Sequence, residues 1–141
     1  MKLNESLGYL LNLTARNLKR ELDENIRKYN LTSSQWALVK LLLEKGELSQ
    51  VEIAENMQSD KATVGAIVDK LVNKGLVIRG KNDTDKRSYK IKILKDGRDL
   101  ATKLTKDAIN TNNKALQGFK DEDIRKLLDY LEIINSNLRG E

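Results

Sequence analysis

Two helix-start signals lie close together in the middle of the chain, and no other feature constrains the fold as strongly. Ser49 is followed three residues later by Glu52, which is the pattern of a capping box at the start of a helix. Asp60 can cap a second helix, and Lys74-Gly75 ends it with a cation and a glycine that tolerates positive φ. Gln58-Ser59 leaves room only for a tight turn. The sequence therefore predicts a helix, a turn and a second helix.

Two short runs with β character follow the second helix. Leu76 to Arg79 is mostly apolar, and Tyr89 to Leu94 alternates apolar and lysine side chains with the period of a strand. The segment 80–87 between them is polar, contains glycine and carries both charges, as the tip of a hairpin does. A helix-turn-helix followed by a basic β-hairpin is the plan of a winged helix-turn-helix, which lays its second helix in a groove of DNA.

The segments on both sides of this unit are predicted to be helices with one apolar face. Apolar residues recur at spacings of four or seven from Leu7 to Ile26, the helical period returns after Lys95, and Asp121 can cap a last helix. Nothing adjacent in the sequence remains to cover these faces, so we expect the terminal helices to pack together across two chains. The residues expected at this interface are Leu7, Leu11, Leu18, Leu104, Leu116, Ile124, Leu127, Leu131 and Ile134.

These elements predict a mainly α fold with a small β-hairpin wing, in three parts. Residues 1–30 form the N-terminal helix of a dimerisation region, residues 31–94 a winged helix-turn-helix DNA-binding domain, and residues 95–141 the C-terminal dimerisation helices. Thr32 with Gln35 is a further capping box. The helix that it opens carries Trp36, which we interpret as a core residue beside the cleft between the lobes rather than as a platform for a cofactor.

Composition excludes several classes of function. The net charge is +5 per chain with a pI near 9.3, so a dimer would carry about twice that charge and attract a polyanion. Without cysteine or histidine the chain lacks thiol redox chemistry, imidazole-based catalysis and the usual zinc ligands. Met1 to Leu13 has no secretory pattern and no apolar run reaches the length of a membrane span. We therefore expect a cytoplasmic protein that is not an enzyme, needs no metal or cofactor and contacts no membrane.

Three stretches of the chain resemble the MarR (multiple antibiotic resistance regulator) family of transcriptional regulators. They are Leu31 to Trp36, Asp60 to Val77, and Asp85-Lys86-Arg87 followed by Ile93 and Gly97. The resemblance implies a homodimer that binds a pseudo-palindromic operator in double-stranded DNA, usually as a repressor, and that is released by a small phenolic or lipophilic ligand. The chain departs from the family at Gly65 and Ala66, where Ser or Thr and then Arg are common, and at Leu94, where Thr is usual.

The predicted DNA contacts fall on the second helix and on the wing. Lys61 can donate to guanine, and Thr63 and the alanine methyls can meet thymine methyls or phosphates. Gly65 either permits close approach of the backbone to DNA or packs on a neighbour. The resemblance implies that Arg87 enters the minor groove, the alternative being a solvated salt bridge with Asp85. Contacts with phosphates, or positive charge near them, are expected from Ser49, Gln50, Arg79, Lys81, Lys86, Lys90 and Lys92. The full set of predicted DNA contacts is Ser49, Gln50, Lys61, Ala62, Thr63, Gly65, Ala66, Lys70, Arg79, Lys81, Asp85, Lys86 and Arg87.

Two other classes stay open on the sequence. One is a winged-helix module that docks proteins without binding DNA, because Gly65 and Ala66 carry no long side chain. The other is a small enzyme built on Asp, Glu, Lys or Tyr, although no paired carboxylates lie in an apolar setting. Affinity for random duplex DNA that falls steeply with salt distinguishes a DNA-binding protein from both.

Overall fold

The structure is a computed structural model that describes residues 1–81 and 89–141. It is mostly helical, with one small antiparallel sheet, as the sequence predicts. The helices are α1 (Leu7–Ile26), α2 (Ser33–Lys45), α3 (Gln50–Met57), α4 (Lys61–Asn73), α5 (Lys95–Ala115) and α6 (Asp121–Arg139), and the strands are β1 (Leu48–Ser49), β2 (Val77–Lys81) and β3 (Tyr89–Ile93). Single turns of 3-10 helix, Leu3–Glu5 and Arg27–Tyr29, flank α1.

The helices of the central unit begin where the capping signals predict. At α2, the Gln35 N–H donates to the Thr32 hydroxyl at 3.2 Å and the Thr32 N–H donates to the Gln35 side chain at 3.3 Å. The same reciprocal pair opens α3 at Ser49. The cap expected from Asp121 at the last helix is wrong, because Asp121 is already the first helical residue and Lys120 precedes it without a side-chain cap. Three acidic residues in that first turn instead favour α6 through the helix dipole.

The sheet has the order β1-β3-β2 and is antiparallel throughout. Val77 pairs with Ile93 and Arg79 with Ile91 in the expected hairpin, while Leu48 pairs with Ile91 on the other edge of β3. The sequence analysis did not predict β1, because a strand of two residues shows no alternation. This short pairing fixes the start of α3 against the base of the hairpin.

One core joins the helix-turn-helix to the flanking helices. Its fully buried side chains come from α1, α2, α3, α4, both longer strands and α5, and include Ile26, Leu38, Leu42, Ile53, Val64, Val68, Leu71, Val77, Ile91 and Leu104. Leu104 is 0% exposed, so its predicted place at the dimer interface is wrong. It faces the core because α5 packs along α1 and α2 of its own chain. The apolar stripe of α5 is thus largely satisfied within one chain.

The last helix is packed differently from the rest. None of the residues of α6 is buried, and within the ranges that the structure describes α6 makes no extensive contact with another element. Its stripe residues Ile124, Leu127, Leu131 and Ile134 are half-buried, and Leu138 is 82% exposed. At the other end of the chain Leu7 is 54% exposed. These partly exposed apolar faces are available to a second chain, and the dimer interface stays a prediction. None of the described helices is both long enough and apolar enough to cross a membrane.

Candidate nucleic-acid interface

Helix α4 is held firmly at its start and along one side. The Asp60 carboxylate accepts the Thr63 N–H at 2.7 Å and the Thr63 hydroxyl at 2.8 Å. These bonds, the backbone one first, hold the pKa of Asp60 below its ordinary value, so the cap is ionised at neutral pH. Val64, Val68 and Leu71 bury the inner side of the helix. The opposite side is therefore presented to solvent by a helix that cannot roll without breaking the core.

The exposed side of α4 carries small side chains along its centre. Ala62, Ala66 and Asp69 are all exposed and follow one another at spacings of four and three, which places them on one line of the helix. Lys61, Thr63 and Lys70, which the sequence also predicts to contact DNA, are exposed on the flanks of this line. The backbone of α4 can therefore approach a groove closely, with cations on both sides.

Gly65 has a neighbour that the sequence did not reveal. A Cβ built on Gly65 would lie 3.0 Å from Nε2 of Gln50, and that nitrogen donates to the Lys61 carbonyl oxygen at 3.3 Å. Of the two interpretations left open for this glycine, the contact supports packing on a neighbour. No periodicity links positions 50 and 65, since the turn of the helix-turn-helix brings them together.

Ser49 has a structural role that accounts for its hydroxyl. It is 8% exposed, lies in β1 and accepts the Glu52 N–H at 3.1 Å, while the Ser49 N–H donates to the Glu52 carboxylate at 3.1 Å. This backbone hydrogen bond holds the pKa of Glu52 below its usual value. The prediction that Ser49 contacts a phosphate does not fit this burial.

The hairpin is joined to α4 by an ion pair across the interface. Nη2 of Arg79, on β2, lies 2.5 Å from Oδ1 of Asp69, on the exposed side of α4. The sequence analysis assigned Arg79 to phosphate and missed this partner. Lys81 is exposed at the end of β2, while the predicted wing contacts Asp85, Lys86 and Arg87 lie outside the described residues. Both side chains are partly exposed, so the pair adds at most about 1 kcal/mol to the packing that holds the hairpin beside α4.

A cleft of about 320 Å³ lies behind the interface, between α1, α2 and α5. Trp36 lines the cleft, and its Nε1 is buried without a hydrogen-bond partner among residues 1–81 and 89–141. The position agrees with the interpretation of Trp36 as a residue beside the cleft between the lobes. The lining residues are Leu18, Lys19, Leu22, Ser33, Trp36, Ala37, Ala108, Thr111 and Asn112.

A helix-turn-helix with an exposed second helix, followed by a hairpin in one small sheet, defines a winged helix-turn-helix protein. The model of the MarR family matches residues 31–89, which span this unit from the start of α2 to the start of β3. This match identifies residues 31–89 as a MarR family domain.

The curated relatives are named as transcriptional regulators, not as enzymes. The chain is 28% identical over 97 residues to the organic hydroperoxide resistance transcriptional regulator of Bacillus subtilis, an alignment that covers 69% of this chain and 66%, just under two thirds, of that relative. It is 23% identical over 133 residues to the HTH-type transcriptional regulator MhqR of the same organism, covering 94% of this chain and 92% of the relative.

Solved structures share the fold over nearly the whole chain. A MarR family transcriptional regulator from Rhodococcus sp. RHA1 has a TM-score of 0.89 at 21% identity, covering 95% of both chains. CouR from Rhodococcus jostii RHA1, bound to p-coumaroyl-CoA, has a TM-score of 0.86 at 21% identity, covering 95% of this chain and 94% of that one. The Staphylococcus aureus MepR–DNA complex has a TM-score of 0.85 at 20% identity, covering 94% and 98%. At these identities the likeness concerns the fold alone.

Proposed function

We propose that this regulator is a homodimeric repressor that binds a pseudo-palindromic operator in double-stranded DNA. The observation that carries the proposal is the exposed side of α4. The small side chains of Ala62 and Ala66 permit DNA to approach the helix backbone closely, and Lys61 and Lys70 lie on either side of them. The MepR–DNA complex, with the same fold, supports a role of this surface in DNA binding. In a symmetric dimer, two such helices enter successive major grooves about 34 Å apart.

The predicted dimer would form through the terminal helices. The half-buried stripe of α6 from Ile124 to Ile134 and the exposed Leu7 of α1 are apolar surfaces that their own chain leaves partly open. Covering them with a second copy removes apolar area from water, at about 25 cal/mol per Å². The second copy also doubles the +5 charge that attracts DNA.

Salt dependence of DNA binding tests the proposal. A duplex selected from random DNA by the purified protein should show two-fold symmetry, and its affinity should fall steeply as salt rises because phosphate contacts release counterions. Lys70→Ala should reduce the steepness of log affinity plotted against log salt concentration by about one, because one phosphate contact is lost. Lys126→Ala is the matched control, because it removes the same charge from the exposed side of α6. Failure of the wild-type protein to bind any duplex in dilute salt would overturn the proposal.

One observation favours a second candidate, a winged-helix module that docks proteins. The central line of α4 offers two alanines and the acidic Asp69 rather than long donors. The low-salt measurement above distinguishes the candidates, because a docking module would not bind random duplex DNA even in dilute salt.

We further propose that an aromatic or lipophilic molecule occupies the Trp36 cleft and releases the operator. At about 320 Å³ the cleft lies within the range for small-molecule sites, and Trp36, Leu18 and Leu22 give it an aromatic and aliphatic lining. CouR bound to p-coumaroyl-CoA supports a ligand on this fold. A ligand that binds better to a dimer spacing unfit for DNA lowers operator affinity by its differential affinity for the two states.

Trp36 is the single tryptophan of the chain, so its fluorescence reports on the cleft directly. Titration with salicylate and with other small phenols should change the emission and weaken operator binding over the same concentration range. Trp36→Leu removes the aromatic ring from the lining, so it should raise roughly tenfold the ligand concentration that releases the operator. Unchanged operator affinity across the panel of phenols would contradict release by such ligands.

A further inference from the structure

The carboxamide of Gln50 lies on the backbone of the recognition helix. Its Nε2 donates to the Lys61 carbonyl oxygen at 3.3 Å, and a Cβ at Gly65 would lie 3.0 Å from Nε2 and 3.8 Å from Cδ. Lys61 and Gly65 are one helical turn apart and so share a side of α4. Gln50 itself is the first residue of α3. The carboxamide therefore fills the space that any other amino acid at position 65 would take with its own side chain.

The first turns of α4 are otherwise poor in groups that can read a base. Ala62, Gly65 and Ala66 have no side-chain donor or acceptor. Thr63 has its hydroxyl hydrogen bonded to Asp60 at 2.8 Å. Lys61 is the remaining polar side chain of these turns, and its ammonium is a donor only. A group that both donates and accepts has to come from another element, and the Gln50 carboxamide touches this side of the helix.

Hydrogen bonding fixes which way the Gln50 carboxamide is turned. Nε2 faces the Lys61 carbonyl oxygen, and the reversed amide would bring two acceptor oxygens together. One of the two N–H groups on Nε2 is thus used within the protein. The second N–H and Oε1 remain, and they form the pair of donor and acceptor that the N7 and N6 positions of adenine require in the major groove.

We propose that Gln50 is a specificity-determining residue that reads an adenine in each half of the operator, from the space that Gly65 leaves open on α4. This inference rests on the proposed function, because it needs α4 to lie in a major groove. It goes beyond the sequence predictions, which assigned a phosphate contact to Gln50 and left Gly65 either as a point of close approach to DNA or as packing on a neighbour.

Selection of duplexes from a random pool, repeated with variants, tests the assignment. The wild type should select an adenine at one position of each half-site. Gln50→Ala should reduce that preference roughly tenfold and leave the other positions unchanged. Gln50→Glu should abolish the adenine preference, because a carboxylate can donate neither to the Lys61 carbonyl oxygen nor to N7 of adenine.

Gly65→Ala tests the role of the open space without touching Gln50. The added Cβ should displace the carboxamide and reduce the same adenine preference as Gln50→Ala does. Gly8→Ala in α1 is the control, because it makes the same substitution at a helical position where a Cβ meets no atom within 4 Å. Its selected sequence should equal that of the wild type, and thermal unfolding of each variant checks that it is folded.

The outcomes separate the inference from the function on which it rests. If the wild type binds no duplex in dilute salt, the DNA-binding proposal itself fails. If the wild type selects an operator and Gln50→Ala weakens binding equally at every position, Gln50 contacts phosphate and the base-reading assignment is overturned. Loss of one adenine position in both Gln50→Ala and Gly65→Ala supports it.

Discussion

Gly97 is the glycine whose replacement should do the most damage, and the structure gives the reason. It lies buried in the first turn of α5, where a Cβ would be 2.2 Å from the Leu76 carbonyl oxygen and 3.0 Å from Cγ1 of Ile93. That carbonyl accepts the Leu94 N–H at 2.9 Å, so it cannot move without breaking the link between the strands and α5. Gly97→Ala should therefore push α5 away from the base of the hairpin.

The size of the effect follows from two opposing terms. Overpacking a close contact costs about 1–3 kcal/mol, and the upper end applies to Gly97 because the obstructing atom belongs to the backbone. Replacing glycine by alanine in a helix stabilises the folded state by about 1 kcal/mol. The net loss is about 2 kcal/mol, which lowers the Tm of a chain of this length by roughly 6 °C. Gly8→Ala carries the propensity gain alone, because a Cβ there meets no atom within 4 Å, so its Tm should rise by roughly 3 °C.

Thermal unfolding followed by circular dichroism measures both variants against the wild type. Protomer concentrations have to be matched, because the Tm of an associating protein depends on concentration. A Tm for Gly97→Ala equal to or above that of the wild type would refute the argument, since the propensity gain would then exceed any clash. Equal shifts in the two variants would show that helix propensity alone decides.

Three further predictions concern the wing, the dimer and the cap of α4. Arg87→Ala should weaken operator binding at least tenfold, measured by fluorescence anisotropy, with little change in Tm; an unaltered Kd would remove the wing from the interface. Leu131→Asp places a charge in the half-buried stripe of α6 and should give a monomer by light scattering, and a persisting dimer would place the interface elsewhere. The pKa of Asp60 is lowered from 3.8, so its contribution is complete above that value and is lost as pH falls through the lower folded pKa. The difference in Tm between wild type and Asp60→Ala should therefore shrink below about pH 4, and a constant difference down to about pH 2 would contradict the cap.

Local chemistry explains which parts of the fold were predictable. The starts of α2, α3 and α4 depend on hydrogen bonds between side chains and backbone groups three residues apart. The capping residues Thr32, Ser49 and Asp60 therefore predict these starts from the sequence. The alternation of β3 is equally local. The pairing of Leu48 with Ile91 is not, because two residues carry no period and their partner lies far along the chain. Sequence patterns therefore located the winged unit but missed the strand that anchors it.

The wrong assignments share a different cause. The helical period shows that Leu104 belongs to an apolar face, but it does not show what covers that face, and α1 and α2 of the same chain do so. Contacts between distant positions, such as Arg79 with Asp69, have no sequence signal at all. The candidate site was thus predictable as a surface but not as a set of partners.

The shared core gives the proposed ligand cleft a physical route to α4, the helix proposed to bind DNA. Trp36 faces the cleft from α2, while Leu38 and Leu42 of the same helix are buried in the core that also holds Val68 of α4. A second link runs outside the core, where the Lys74 ammonium just beyond α4 donates to the Asn30 carbonyl oxygen and, at 3.2 Å, to Gln35 of α2. Close-packed interiors transmit displacement rather than absorb it, so a molecule that separates α2 from α1 has to carry α4 with it. In a dimer joined through the terminal helices, that displacement would change the distance between the two α4 helices. The half-sites of an operator are a fixed distance apart, so the affinity for the operator would fall.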